Sequence, residues 1–305
     1  MENDFKPKVS IIMNCYNGGT YLRESIESVI KQTYENWELI FWDNQSTDNS
    51  KEIFSQFSSD ERVKYFYAKN HTSLGEARKE AIAVSTGEWI GFLDTDDLWD
   101  FNKIELQLKR TRSNVEFQKI GLVYSHAKLI GSTKVGRTIP DKYKDKPLPE
   151  GDLHKMLLFG NFIPLVTGLV LKEAYLKLGA IPENLKFAAD YWLYLGITKN
   201  YNAVAVQSTT ASYRIHDANW TKKQVVEQVE EPIEIIKFYL GQLSSESKTE
   251  EFMKLMNVRI AERIIVLLFR FRISDFFRLT FKFSRLDWVL LHGFKYIARI
   301  LIRGY

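Results

Sequence analysis

The first hundred residues alternate short apolar runs with segments whose apolar positions recur at helical spacing. Val9 to Met13 reads as a strand. Leu22, Ile26, Val29 and Ile30 then mark one face of a helix that Thr20 can cap and that runs to about Gln32. Glu38 to Trp42 is a second strand, Asp48 can cap a helix through Phe57, and Val63 to Tyr67 is a third strand. Ser73 and Glu76 stand at capping-box spacing ahead of a helix reaching about Ser85. Glu88 to Leu93 is a fourth strand, a helix begins near Phe101, and residues 120–125 form a further strand. Strands alternating with helices predict an α/β chain built on a parallel, doubly wound sheet.

Beyond this the pattern changes. Residues 131–152 are rich in Lys, Asp, Pro and Gly and read as a long loop, and 153–222 mix short strands and helices. From Lys223 onward the pattern is nearly all helical, with a polar break from Glu246 to Glu251. No internal repeat and no low-complexity segment interrupts it.

The fourth strand ends abruptly in carboxylates: residues 89–97 read Trp-Ile-Gly-Phe-Leu-Asp-Thr-Asp-Asp. Clustered carboxylates repel one another unless a cation sits among them. Their hard oxygens suit Mg²⁺ or Mn²⁺, which in turn hold substrate phosphates. The carboxyl end of a strand in an open α/β sheet is where such ligands bind. The competing reading is a solvated acidic turn that caps the next helix.

Composition narrows the class. At 305 residues, 45% hydrophobic and 26% charged, the chain is an ordinary globular protein of one large or two modest domains. The one cysteine, Cys15, excludes an internal disulfide and fits a reducing cytosol. The segment up to Lys8 is polar, unlike a signal peptide. The longest apolar run, Ile264 to Phe269, falls far short of the roughly 18 residues a membrane span requires. A cytoplasmic protein is expected. The net charge of +4 is unevenly placed: Val258 to Tyr305 holds ten Lys or Arg against three Asp or Glu, a local +7, which leaves −3 for the rest. The body that carries the carboxylates is therefore not basic, and no nucleic-acid partner is expected.

The ordered motifs carry a resemblance. Val-Ser-Ile-Ile-Met-Asn-Cys-Tyr-Asn-Gly-Gly-Thr-Tyr-Leu (9–22), Phe-Trp-Asp-Asn-Gln-Ser-Thr-Asp (41–48), Leu-Asp-Thr-Asp-Asp (93–97), Ala-Asp-Tyr-Trp-Leu-Tyr-Leu (189–195) and Tyr-Arg-Ile-His (213–216) follow one another as in the family 2 glycosyltransferases. The chain resembles that family over residues 8 to about 222. The resemblance implies a GT-A fold, Rossmann-like with a mostly parallel sheet and here a C-terminal helical extension. Residues 1–115 would form the nucleotide-sugar-binding half, 116–222 the acceptor-binding half and 223–305 a basic amphipathic helical tail. The implied activity is inverting transfer of a hexosyl or N-acetylhexosaminyl group from a nucleotide sugar, a UDP-sugar first, to a saccharide or polyprenyl-linked hydroxyl in surface polysaccharide or glycolipid assembly.

Each motif also has a physical reading. The loop Asn14 to Gly19, with Tyr16 and Asn17, follows the first strand where a nucleobase can slide in. Tyr16 offers a ring, while Gly18 and Gly19 admit close backbone approach. The same glycines would serve a plain strand-to-helix turn. By resemblance Asp43 accepts the imide N–H of uracil, for which a carboxylate is suited as an acceptor only. Its alternative is a turn residue. Arg78 is placed near the nucleotide or its phosphates, with a solvated helix position as alternative. Asp94 is placed at the ribose or a metal-bound water, and Asp96 on the Mg²⁺ or Mn²⁺ that bridges the donor phosphates. Asp97 either caps the next helix or assists the metal. Asp190 is the expected catalytic base, with a helix N-cap as the local alternative. His216 is expected at the metal or diphosphate, Arg214 on phosphate or bracing the loop, and Thr167 and Gly168 along the acceptor pocket.

Several positions depart from the family pattern. Asn44 stands where a second Asp is common, Ala189 where Glu is common, Lys79 where Asn is usual and Phe101 where Pro often begins the helix. In the tail, Arg259, Arg263, Arg270, Arg272, Arg278, Lys282, Arg285, Lys295, Arg299 and Arg303 interleave with Phe, Trp, Ile and Leu. Such helices suit an anionic membrane surface, here the inner face of the cytoplasmic membrane. A packed helical subdomain and a homodimer interface use the same pattern. Rival functions are a sugar nucleotidyltransferase, whose basic phosphate loop is lacking at 14–19, and a non-catalytic nucleotide-sugar binding module.

Overall fold

A computed structural model describes residues 6–112, 117–131, 136–179, 182, 185, 187–217, 219, 226–245, 247–270, 272–284, 289–290, 292–293 and 295–296. Arg285, Arg299 and Arg303 of the tail and residues 132–135 of the predicted loop lie outside them. The chain divides into two compact units, Met1–His154 with Phe162–Asp217, and Lys155–Asn161 with Ala218–Tyr305.

Among the described residues the first unit is built on nine strands: β1 (Val9–Cys15), β2 (Trp37–Asp43), β3 (Val63–Tyr67), β4 (Trp89–Phe92), β5 (Leu98–Trp99), β6 (Ile120–Ile130), β7 (Thr138–Ile139), β8 (Leu169–Leu171) and β9 (Asn202–Arg214). Their order is β3-β2-β1-β4-β8-β6-β9-β5, with β7 on β6. The first four run parallel, as the alternating pattern predicts. β8 then runs antiparallel to both β4 and β6, and β6 pairs with β9 in parallel. Because β8 is reversed, its first residue, Leu169, lies opposite Gly91 near the carboxyl end of β4. The segment just before β8 is thereby delivered to the end of the sheet where the acidic triplet emerges.

The helices are α1 (Gly19–Ile30), α2 (Ser50–Ser55), α3 (Leu74–Ala83), α4 (Lys103–Arg112), α5 (His154–Leu158), α6 (Lys172–Leu176) and α7 (Ala189–Thr198). On α1, Leu22, Ile26 and Val29 are fully buried, each contributing about 1.5–3 kcal/mol by area. The predicted caps fare unevenly. Ser73 accepts from Glu76 N at 3.3 Å. Thr20 instead lies inside the first turn of α1, whose N-cap is Gly18. Asp48 is displaced from the cap of α2 by Asn49, and Asp48 Oδ2 accepts from Gly19 N at 2.9 Å, so it ties one helix start to another. α4 begins two residues later than expected, and the 131–152 loop holds β7 and a 3-10 turn at Asp141–Tyr143.

The amino end of the sheet is sealed by polar contacts. Glu38, near the start of β2, is buried and accepts from Ser10 Oγ at 2.7 Å, Thr86 N at 2.6 Å and Lys64 Nζ at 2.7 Å. Burial works against its ionised form, yet these hydrogen bonds hold its carboxyl down at about 2. It is satisfied by the fold.

The second unit contains α8 (Glu227–Gly241), α9 (Glu250–Phe269) and α10 (Ile273–Phe283), packed through Ile233, Ile260, Ile264, Ile265, Phe276 and Leu279. Much of its positive charge is paired internally. Arg278 meets Glu230 at 2.9 Å, Lys282 meets Glu234 at 2.6 Å, Arg259 meets Glu262 at 2.7 Å and Arg272 meets Asp275 at 2.5 Å. Ile273, Phe277 and Phe281, four residues apart on α10, are exposed. No helix among the described residues is long and apolar enough to cross a membrane.

Candidate active site

The register of β1 on β2 sets Asn14 beside Trp42 and Cys15 beside Asp43, so the loops after both strands leave the sheet together. They are stitched by Asn44 N to Cys15 O at 2.8 Å, Asn17 N to Ser46 Oγ at 3.0 Å and Thr47 N to Asn17 Oδ1 at 2.7 Å. Asn17 adopts a left-handed φ of 54°, a conformation asparagine tolerates. The next residue back, Tyr16, is 56% exposed, with its ring centroid 4.3 Å from that of His71. Asn14 Nδ2 is buried and donates to none of the described residues, which is unusual for an amide and points to a ligand or water acceptor.

Asp43 is buried beneath these loops. Its Oδ1 accepts from Ser46 N at 2.7 Å and its Oδ2 from the Tyr65 hydroxyl at 2.6 Å. A nucleobase N–H would have to use one of the remaining lone pairs. Its neighbour Asn44, the departure from the family pattern, has work of its own. Asn44 Nδ2 donates to Thr72 O at 2.8 Å, Oδ1 accepts from Thr72 N at 3.1 Å, and its carbonyl contacts His71 Nδ1 at 2.8 Å. An aspartate could make only part of this set. Tyr65 and His71 are absent from the sequence reading because a cross-strand neighbour and a loop residue carry no local signal.

The acidic triplet divides three ways. Asp94 Oδ1 pairs with Arg78 Nη2 at 3.2 Å. Asp96 Oδ2 lies 2.9 Å from His216 Nε2, a contact across 120 residues of sequence. Burial and then the Asp94 charge push the Asp96 carboxyl up, with His216 opposing them. Asp97 is fully enclosed and accepts from Arg214 N at 2.8 Å, so it neither caps α4 nor faces outward; it pins the end of β9. Arg214 braces the same corner: Nε donates to Asp96 O at 2.8 Å, Nη2 to Glu24 at 2.7 Å, and its guanidinium sits 4.3 Å from the Tyr21 ring.

Asp190 lies in the first turn of α7, one residue inside its start, and the N-cap position belongs to Ala188. The cap alternative is therefore not realised. Asp190, Arg78, Ile82, Phe92, Leu165, Tyr175, Ala189 and Leu193 line a cavity of about 10 Å³, room for roughly one water molecule. The mostly apolar wall pushes the Asp190 carboxyl up to about 6, with the Arg78 charge and Tyr191 N, at 2.8 Å, pulling the other way. Tyr194, one turn on, is buried near the same carboxylate. Gly168 makes space for its hydroxyl, since a Cβ there would stand 2.2 Å from Tyr194 Oη. Thr167 is buried, with its side chain turned back to Pro164 O at 2.8 Å.

Two protein donors, the Asp96 carboxylate and the His216 imidazole, thus meet at one point, with the Asp94 carboxylate two residues earlier in the loop. This donor set fits Mg²⁺ or Mn²⁺, which are commonly held by one or two protein ligands and completed by phosphate and water. No group of three His, Cys, Asp or Glu closes into a cage among the described residues. Asp190, whose carboxyl burial pushes up to about 6, lines a cavity with Arg78 and can accept a proton.

Comparison with known proteins bears on the family and the fold. The glycosyl transferase family 2 model matches residues 10–140. Over 199 residues the chain is 34% identical to the UDP-Glc:alpha-D-GlcNAc-diphosphoundecaprenol beta-1,3-glucosyltransferase WfgD of Escherichia coli, which covers 65% of this chain and 72% of that protein. The crystal structure of S. aureus TarS 1–349 in complex with UDP-GlcNAc superposes with a TM-score of 0.64 at 18% identity, over 91% of this chain and 74% of that one. A longer TarS chain is covered only to 44%. The mannosyltransferase PcManGT from Pyrobaculum calidifontis, in complex with GDP-Man and Mn²⁺, gives 0.63 at 12% identity over 98% and 81%. At these identities the solved structures speak to fold alone, and that fold is the GT-A type expected from the sequence.

Proposed function

The chain belongs to glycosyl transferase family 2 and is a glycosyltransferase, and from that premise we propose that it moves a sugar from a UDP-sugar to a hydroxyl of a saccharide or polyprenyl-linked acceptor, with inversion at the anomeric carbon. The observation that carries this reading is the 2.9 Å contact of Asp96 with His216, together with Arg78, which pairs with Asp94 and also lines the cavity that holds Asp190. The Escherichia coli relative, named for a UDP-sugar donor and a diphosphoundecaprenol acceptor, supports the substrate classes.

In this reading Asn14, Tyr16, Asn17 and Asp43 hold the nucleoside. Arg78 and Asp94 flank the ribose and diphosphate, and Asp96 and His216 hold Mg²⁺ or Mn²⁺. When bound, the cation stabilises negative charge on the leaving diphosphate as a Lewis acid. Asp190 takes the acceptor hydroxyl proton as that oxygen bonds to the anomeric carbon and the bond to the diphosphate oxygen breaks. A carboxylate held near 6 is charged at neutral pH and still basic enough for the task.

Residues 1–115 serve the donor, 116–222 the acceptor. The helical remainder, 223–305, attaches the enzyme peripherally to the anionic cytoplasmic face of a membrane, where polyprenyl-linked acceptors lie. The exposed Ile273, Phe277 and Phe281 support that placement. The test is release of UDP or GDP from UDP-Glc, UDP-GlcNAc and GDP-Man, each with Mn²⁺ and with chelator, on wild type and Asp190→Asn. Metal-dependent turnover of a UDP-sugar that Asp190→Asn abolishes is expected. No turnover of any donor, or full turnover by Asp190→Asn, would sink the reading.

A further inference from the structure

The 3-10 turn Leu165–Thr167, just before β8, is held from the core side by three side chains that the chemistry above does not use. Trp99 Nε1 donates to Val166 O at 2.9 Å, Gln107 Nε2 to Thr167 O at 2.7 Å and Lys103 Nζ to the same carbonyl at 3.2 Å. Lys103 and Gln107 have no exposed surface and Trp99 almost none. Lys103 Nζ also donates to Gln107 Oε1 and stands 4.3 Å from the Trp99 ring centroid, so the three form one connected group. Trp99 reaches this position over Gly91, where a Cβ would meet its ring at 2.5 Å.

An apolar residue would fill the place of Lys103 at lower cost. Among the described residues no carboxylate pairs with it, and burial alone pushes its ammonium down to about 7. What the lysine adds over an apolar side chain is a donor aimed at the turn. The opposite side of the turn faces Asp190. Leu165 lines the cavity beside it, Leu165 O receives the Tyr194 hydroxyl at 3.5 Å, and Gly168 leaves that hydroxyl its room.

We propose that Lys103, Gln107 and Trp99 are positioning residues for the acceptor side of the site: they fix the Leu165–Thr167 turn and, through it, the wall that Leu165 and Tyr194 place around Asp190. The inference rests on the reading of Asp190 as the base. It assigns to α4 and β5, otherwise donor-side elements, a function in the acceptor-side geometry. Loosening the turn would admit water to the wall and misplace the attacking oxygen while the donor loops stay as they are.

The test uses the full chain with Trp99→Phe, which keeps a smaller aromatic side chain and deletes the N–H, and Lys103→Met, which roughly keeps the volume and deletes the donor. Amide exchange is measured along the chain, and UDP-Glc and UDP-GlcNAc turnover with Mn²⁺ gives kcat and donor KM. Exchange should accelerate about tenfold or more at residues 165–168 and in the first turn of α7, and not in the loops at 14–19 and 43–48. Turnover should fall about tenfold with donor KM within about twofold. Unchanged exchange at the turn, uniformly faster exchange throughout the unit, or equal loss in kcat and donor binding would overturn the inference. A wild type that turns over neither donor would count against the proposed glycosyl transfer, while the exchange measurement still decides the clamp.

Discussion

Arg78 Nη2 stands 3.2 Å from Asp94 Oδ1, and the same buried guanidinium lines the cavity that holds Asp190. One cation therefore acts on both the carboxylate that leads the acidic triplet and the carboxylate proposed as base. Its charge lowers the Asp190 carboxyl against the push of burial. Arg78→Met should release that restraint, moving the acid limb of the turnover profile up from about pH 6 by roughly a unit. A pH–rate profile on the UDP-sugar turned over by wild type reads this directly, and an unmoved limb would separate Arg78 from Asp190.

Asp190 also links activity to stability. A carboxyl raised to about 6 in the folded chain contributes stability that is complete below the unfolded value near 4 and is lost as pH rises through 6. By pH 7.5 the cost is about 2–3 kcal/mol. Asp190→Asn should therefore cut turnover by about 10²–10⁴-fold and, at pH 7.5, raise the melting temperature of the ligand-free protein. The gain should vanish at pH 4. A variant that melts lower than wild type at pH 7.5 contradicts the linkage.

The Asp96–His216 pair predicts a metal phenotype. Asp96→Asn should remove Mn²⁺-dependent turnover, whereas His216→Ala should leave it but raise the Mn²⁺ concentration for half-activity by about 10–100-fold. Titration of Mn²⁺ at saturating UDP-sugar makes the comparison. Equal Mn²⁺ requirements in wild type and His216→Ala would remove His216 from the metal.

Asn44→Asp restores the second acid common in the family, yet it should harm this chain. It deletes the Nδ2–H donated to Thr72 O at 2.8 Å and turns an oxygen toward that carbonyl, beside the buried Asp43. A loss of about 1–3 kcal/mol is expected in urea unfolding at neutral pH. An unchanged midpoint would mean that the 71–72 loop is held by other contacts.

Gly168→Ala places a Cβ 2.2 Å from Tyr194 Oη and should lower turnover by displacing that ring. Adding Tyr194→Phe removes the clashing atom. The double variant should recover part of the loss, a non-additive outcome that kcat measurements on all three variants can reveal.

How much of this was legible in the residues varies by element. The strand–helix alternation of β1 to β4 is local, and periodicity located it to within a few residues. Asp43 and the acidic triplet lie at or just beyond strand ends and could be read from their place after apolar runs. The reversal of β8 could not, because strand direction is set by pairing with β4 and β6 rather than by any pattern in Leu169–Leu171. Caps misled where several polar residues compete: Asp48 and Asn49 are both good cap types, and only the fold assigns Asp48 to Gly19. Asp97 was open between cap and metal, and its partner, the backbone of Arg214, is 117 residues away. The tail's excess of cations suggested a basic surface, but Glu230 and Glu234 neutralise part of it through contacts that no linear count contains.

The bond from Arg214 N to Asp97 also sets an order of assembly. Asp97 leaves the ribosome more than a hundred residues before its partner, and His216 follows that partner by two. Closing so long a loop is slow compared with forming the local β1–α1–β2 units. A nascent chain that ends before residue 214 carries the loops at 14–19 and 43–48, but neither the strand end that Asp97 holds nor the imidazole that meets Asp96. The proposed metal site is thus complete only once residues 214–216 have been made, more than a hundred residues after the acidic triplet itself.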